Sequence, residues 1–266
     1  MKYVIFDLDE TLGHFHQLST MDWVLKKFYN RELTKKEFFK LIDLFQNIIR
    51  PNILFILKYL KKIKSKKNIK IVIYTNNTGK KMWVHRIKSY LEYKLKGPLF
   101  DRVICGWKYD KVIMEPKRTS WNKSYKDVKN ILHLRRNDTL MFIDDQTHPD
   151  MFHKNIHYVK IDPYVYKYDA NYMLKKFISA NNFKNTRIKK LLEISQFFVN
   201  ERKNCNDKYD TGHIKRFTIH GKRLERIIKK FCDNADIENQ VVKKIKKVNT
   251  KKKKKLKLKN KTAKLK

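Results

Sequence analysis

Apolar residues follow two rhythms along this chain. Val4-Ile5-Phe6, Ile71-Val72-Ile73-Tyr74 and Leu140-Met141-Phe142-Ile143 are short unbroken runs, each ending at a polar residue. Such runs read as parallel strands buried on both faces. Ile156–Ile161 is a further strand, and Arg102–Cys105 and Lys111–Met114 are weaker candidates. Between the runs, apolar positions recur at helical spacing. Trp23, Leu25 and Phe28 mark a helix near 20–30; Phe38, Leu41, Ile42 and Phe45 follow the capping box Thr34-Lys35-Lys36-Glu37. Pro51 suits the first turn of a third helix carrying Ile53, Leu54, Leu57 and Leu60. Helices over 80–95 and 123–133 complete the alternation.

Strands alternating with helices predict an α/β fold, a Rossmann-like parallel sheet with helices on both faces and a small helical insertion after the first strand. The expected division is a domain over 1–168 with its insertion at 13–50, a helical extension over 169–242 and a disordered Lys-rich tail over 243–266. Helices are expected near 169–180, 184–202 and 222–233, with a short strand near Phe217–Ile219. The tail contains Lys251–Lys255 and then alternates Lys with Leu, and like charges at that density oppose regular structure.

Composition narrows the partners. The 266 residues carry 64 Lys and Arg against 26 Asp and Glu, a net charge of +38. A surface of that sign attracts polyanions: nucleic acid, anionic membrane or acidic protein. An AT-rich coding genome also enriches Lys, so part of the excess carries no function. The tail is a candidate for nucleic-acid contact or nuclear targeting, and it lacks the interleaved aromatic residues that single-strand stacking uses. Cys105, Cys205 and Cys232 form no CxxC pattern, which argues against a zinc site or disulfide framework. No run reaches the ~18 apolar residues of a membrane span. A soluble intracellular protein, nuclear or cytoplasmic, is expected.

Asp7, Thr75 and Asp144 each stand immediately after an apolar run, so a parallel sheet brings them to one rim, where ligands of such sheets bind. Asp7-Leu8-Asp9 places two carboxylates on the turn after the first strand. One carboxylate of such a pair can attack phosphorus and the other can protonate the leaving oxygen and later activate water. The charge of a phosphoryl group then calls for Mg2+, for which Asp144 and Asp145 supply further oxygen ligands, and for a lysine beside the nucleophile. Thr75 offers a hydroxyl to the phosphate. His14 and His16 read as polar loop residues.

The ordered set Asp7-Leu8-Asp9-Glu10-Thr11, Thr75, a lysine and Asp144-Asp145 resembles the four motifs of the haloacid dehalogenase superfamily over about residues 1–165. Within it, Asp7 to Leu12 with His14, Arg50-Pro51 before an amphipathic helix, and Lys126-Asp127-Val128 resemble phosphatases of the RNA polymerase II C-terminal domain. The resemblance implies Asp7 as nucleophile, Asp9 as general acid and base, and Thr75 and Asn76 as phosphate-binding residues. It implies Mg2+ held by Asp7, Asp144, Asp145 and the Asp9 backbone carbonyl. Lys126 is the first choice for the site lysine, with Lys117, after Glu115-Pro116, as the alternative. The chain departs from those phosphatases at Asn76-Asn77, at Asp145-Gln146 and in the helical character of 13–50. The expected function is a phosphoprotein phosphatase acting on Ser or Thr. The alternatives are a nucleotide or nucleic-acid 3′-end phosphatase, suggested by Thr75-Asn76, and a polyanion-binding protein with a vestigial site.

Overall fold

The structure is a computed structural model that describes residues 1–77, 81–181, 183–200 and 213–233. The chain divides into two compact units, 1–223 and 224–266. In chain order the first runs β1 (Lys2–Phe6), α1 (His16–Tyr29), α2 (Lys35–Leu44), α3 (Ile53–Ile63), β2 (Ile69–Tyr74), α4 (Lys81–Lys94), β3 (Arg102–Ile104), β4 (Lys108–Tyr109), β5 (Val112–Ile113), α5 (Tyr125–Leu132), β6 (Thr139–Asp144), β7 (Ile156–Lys160), α6 (Ala170–Asn181) and α7 (Asn185–Asn200). A helix α8 covers 213–233, of which 213–223 belong to the first unit. In the second unit the described residues 224–233 are helical, with Leu224, Ile228 and Phe231 buried. The expected Lys-rich tail at 243–266 lies outside the described residues, as do 234–242.

The sheet has five parallel strands in the order β3-β2-β1-β6-β7. Val4, Ile5 and Phe6 in succession are fully buried, which requires cover on both faces of the central strand. On one face Tyr3, Ile5, Val72, Tyr74, Leu140 and Phe142 form a continuous core with Val128 and Ile131 of α5. This is the Rossmann-like α/β architecture that the alternating runs predict. The register sets the functional rim. Phe6 lies opposite both Ile73 and Ile143, so β1, β2 and β6 end together and deliver Asp7, Thr75 and Asp144 to one edge.

The insertion after β1 is helical. α2 starts at the predicted capping box: Thr34 accepts from the Glu37 amide while Glu37 reaches back to the Thr34 amide. The expected domain boundary at 168 falls inside the first unit. Here α7 packs on α1 and α6 on α2, and Gln17 exchanges two hydrogen bonds with the Tyr168 backbone. Three local expectations are corrected. Phe217–Ile219 is helical, because His213, Phe217 and Gly221 recur one turn apart and Phe217 packs on Tyr164. Pro51 precedes α3 rather than opening it; Asn52, at φ 67°, is the N-cap. Lys111–Met114 contributes only β5, paired antiparallel with β4 across a turn in which Asp110 and Lys111 both have positive φ.

Candidate active site

The loop after β1 begins where Asp7 donates its amide to the Ile143 carbonyl and so stays in the sheet for one more residue. It then turns sharply. Glu10 takes φ 54°, its amide bonds the Gly13 carbonyl, and the Leu12 amide bonds the Leu8 carbonyl. Gly13 is required here. A Cβ on it would lie 2.5 Å from the Ile48 carbonyl oxygen, which accepts from the His14 amide at 2.7 Å. Arg50 locks the turn from inside. Its buried guanidinium donates to the Thr11, Glu10 and Asp162 carbonyls at 2.6–2.7 Å and stacks near Tyr164 and Phe217.

A second buried arginine holds the loop after β2. Arg118 donates to the carbonyls of Thr75, Cys105 and Trp121 and to Asn76 Oδ1. Thr75 is buried at the rim and its Oγ1 accepts from the Asn77 amide. A hydroxyl that accepts one bond still has its own proton to donate. The Asn77 side chain bridges the two loops, its Nδ2 donating to Asp9 Oδ2 at 2.8 Å.

These loops and the end of β6 enclose a pocket of about 450 Å³ whose lining includes Asp7, Asp9, Thr75, Asn76, Asn77, Asp144, Asp145 and Lys123. All the expected acids, with Thr75 and Asn76, therefore share one cavity. The lysine does not match expectation. Lys126 and Lys117 are exposed, and Lys117 Nζ lies 3.1 Å from His133 Nε2 instead. Lys123 is the buried lysine, paired with Asp7 Oδ1 and at 2.7 Å with Asp144 Oδ2. The reason is the helix start. Ser124 caps α5 by accepting from the Asp127 amide, which leaves Lys123 outside the helix and pointing at the strand ends. Lys126 then falls on the solvent side of the first turn, opposite Val128 and Ile131. The Ser124-x-x-Asp127 pattern carried this signal in the sequence.

The electrostatics separate the acids. Burial pushes the Asp7 carboxyl up, against the Lys123 ammonium that pulls it down. Burial raises Asp144 as well, but His148, Lys123 and the Gln146 amide outweigh it and hold that carboxyl below the usual range. Burial pushes Asp9 up to about 6 despite the Asn77 hydrogen bond. Asp145 is raised by burial and is oriented by Thr11 and Gln146. Lys123 stays protonated, since Asp7 and Asp144 outweigh its burial.

Asp7, Asp144 and Asp145 each offer an oxygen within 4.8 Å of the others. An all-carboxylate set of this kind suits a hard cation such as Mg2+. Sequence reasoning missed Lys123, Asn77, Arg118 and His148, whose Nε2 lies 3.2 Å from Asp144 Oδ2. His14 is buried and paired with Glu10, which itself lines the pocket, at 2.8 Å; His16 is exposed. Among the described residues no helix is long and apolar enough to cross a membrane. Searched against known proteins, the chain matches no protein-family model and no curated protein.

Proposed function

We propose that this protein is a Mg2+-dependent phosphoric monoester hydrolase of the haloacid dehalogenase type, with Asp7 as its nucleophile. One observation carries the reading: Asp7, Asp144 and Asp145 converge at the sheet edge with the buried Lys123 ammonium against two of them. A structural role for the cluster is a poor alternative, because burying three carboxylates with one ammonium against two of them costs more in desolvation than it returns.

The residues divide the work. An Asp7 oxygen attacks phosphorus, a P–O bond forms, and the bond to the leaving oxygen breaks. Asp9, whose carboxyl burial pushes up to about 6, gives its proton to that oxygen. Water then attacks the aspartyl-phosphate, Asp9 takes the water proton, and phosphate leaves with Asp7 regenerated. Lys123 offsets the charge on Asp7 and on the equatorial oxygens, and the Thr75 hydroxyl donates to the phosphate. Asp7, Asp144, Asp145 and the Asp9 carbonyl would hold Mg2+, which would supply Lewis-acid stabilisation of the phosphoryl oxygens when bound.

The test is Mg2+-dependent hydrolysis of an aryl phosphate. Asp7→Asn is expected to lower kcat by about 10⁴-fold or more, Lys123→Met by about 10²–10³-fold, and Lys126→Met not measurably. Excess chelator should abolish turnover. Undiminished activity in Asp7→Asn would remove the mechanism. The sequence favours a phosphoprotein substrate, with a nucleic-acid end as the second reading. The walls beside the pocket bear on that choice.

A further inference from the structure

A second cavity of about 770 Å³ lies against the first and shares Ser19 and Trp83 with it. Its walls are α1, α2 and α4, with Trp23, Leu33, Phe38, Phe39, Met82 and Trp83 supplying most of the surface. Trp23 and Met82 stand half to two-thirds exposed at its mouth. Its volume lies within the ~300–1,000 Å³ that small-ligand sites span. The acids in it are already engaged: Asp22 is buried and pairs with Arg86 and Lys26, and Glu32 pairs with Lys26. Lys35 lies over Phe39 and Lys27 over Trp23.

Building on the phosphatase reading, we infer that this groove holds the bases next to a terminal phosphate of single-stranded nucleic acid. Three features select that occupant. The groove adjoins the pocket that would hold the phosphate, sharing Ser19 and Trp83 with it, so a chain attached to the phosphorus can extend into it. Apart from Glu32 and Leu33, its lining sits on helices whose backbone groups are spent within the helix, so an extended peptide finds no strand edge to pair with. The part-exposed indoles of Trp23 and Trp83, with Lys27 and Lys35 close by, match bases and their phosphates, and stacking of that kind tolerates any sequence. The excess of positive charge over the whole chain favours the same partner.

The experiment compares full-length protein on three substrates at one salt concentration: an aryl phosphate, a phosphoserine hexapeptide, and hexanucleotides phosphorylated at the 3′ or the 5′ end. The better nucleotide arm identifies the end. An oligonucleotide is expected to give at least tenfold higher kcat/KM than the peptide. Trp23→Ala should reduce the oligonucleotide to aryl phosphate ratio of kcat/KM by about tenfold, and Trp23→Phe should restore most of it. Preference for the peptide, or a ratio unmoved by Trp23→Ala, would overturn the inference while leaving the phosphatase intact. Binding to Asp7→Asn protein reports the opposite failure. Phosphorylated hexanucleotide that binds and weakens with Trp23→Ala, in a protein whose wild type hydrolyses nothing, would retain the groove and remove the enzyme.

Discussion

Two loops meet at the candidate site, and each is gathered by one buried arginine. Arg50 holds the loop after β1 through the Glu10 and Thr11 carbonyls and ties it to the Asp162 carbonyl after β7, and its ring neighbours Tyr164 and Phe217 close over it. Arg118 holds the loop after β2 through the Thr75 carbonyl and Asn76 Oδ1 and ties it to the Cys105 and Trp121 carbonyls, but its Nε is buried without a hydrogen-bond partner. Neither arginine makes an ion pair with a carboxylate in these contacts. Carbonyl dipoles carry the compensation, and burial pulls the Arg50 pKa down to about 10. A fork of rigid donors suits this task because several carbonyls must be fixed at once. The orphaned Nε of Arg118 carries a desolvation cost that offsets part of what its four hydrogen bonds contribute.

The largest effect should separate these clamps. Arg50→Ala leaves three inward-facing carbonyls without their donor, and is expected to cost about 3 kcal/mol or more in urea unfolding. Arg118→Ala should cost about 2 kcal/mol. The corresponding lysine variants sharpen the contrast, because one ammonium cannot copy the fork. Equal losses at the two positions would break it.

A smaller effect tests the bridge between the loops. Asn77→Ala frees the Asp9 carboxyl from its 2.8 Å contact. Hydrolysis of alkyl phosphates, whose leaving oxygen needs a proton, should fall about tenfold or more. Aryl phosphates, which leave as stable anions, should fall much less. A uniform loss over both would mean that Asn77 supports only the fold.

The smallest effect comes from an exposed arginine. Arg31 forks onto Glu37 at 2.7–2.8 Å, and with Thr34 it lowers the Glu37 pKa to about 2. The unfolded value is near ~4.3. Its contribution is therefore complete above about pH 4.3 and is lost as pH falls towards 2. Solvent screening keeps it under about 1 kcal/mol. Comparing urea midpoints of wild type and Glu37→Gln at pH 5 and pH 3 should show the gap narrowing at the lower pH.

The strands were legible because unbroken apolar runs have few other uses in a chain this polar. The same runs placed Asp7, Thr75 and Asp144, since each follows its run directly. The lysine was not legible from resemblance. Lys126 lies in the similar tripeptide, yet the α5 cap at Ser124 decides which lysine faces inward. Arg118, and the clamping role of Arg50, were hidden for a different reason. In a sequence with so many cations, nothing local marks the two whose partners lie up to 112 residues away along the chain. The short strand expected at Phe217–Ile219 failed because its contacts on Tyr164 and Arg50 are made through one face of a helix.

The paired backbone at Gly13 has a consequence for how such a molecule can change over generations. The insertion leaves the sheet domain at Gly13 and returns at Ile49, and these residues bridge each other antiparallel, with the Arg50 amide bonding the Leu12 carbonyl alongside. Departure and return thus share one narrow stem. Material added to or removed from the segment beyond that stem does not alter the distance its base must span. α1 and α2, two of the three helices lining the aromatic groove, are therefore an exchangeable module, and the stem is the socket that lets a new one be fitted while α4 and the acids beneath it stay where they are.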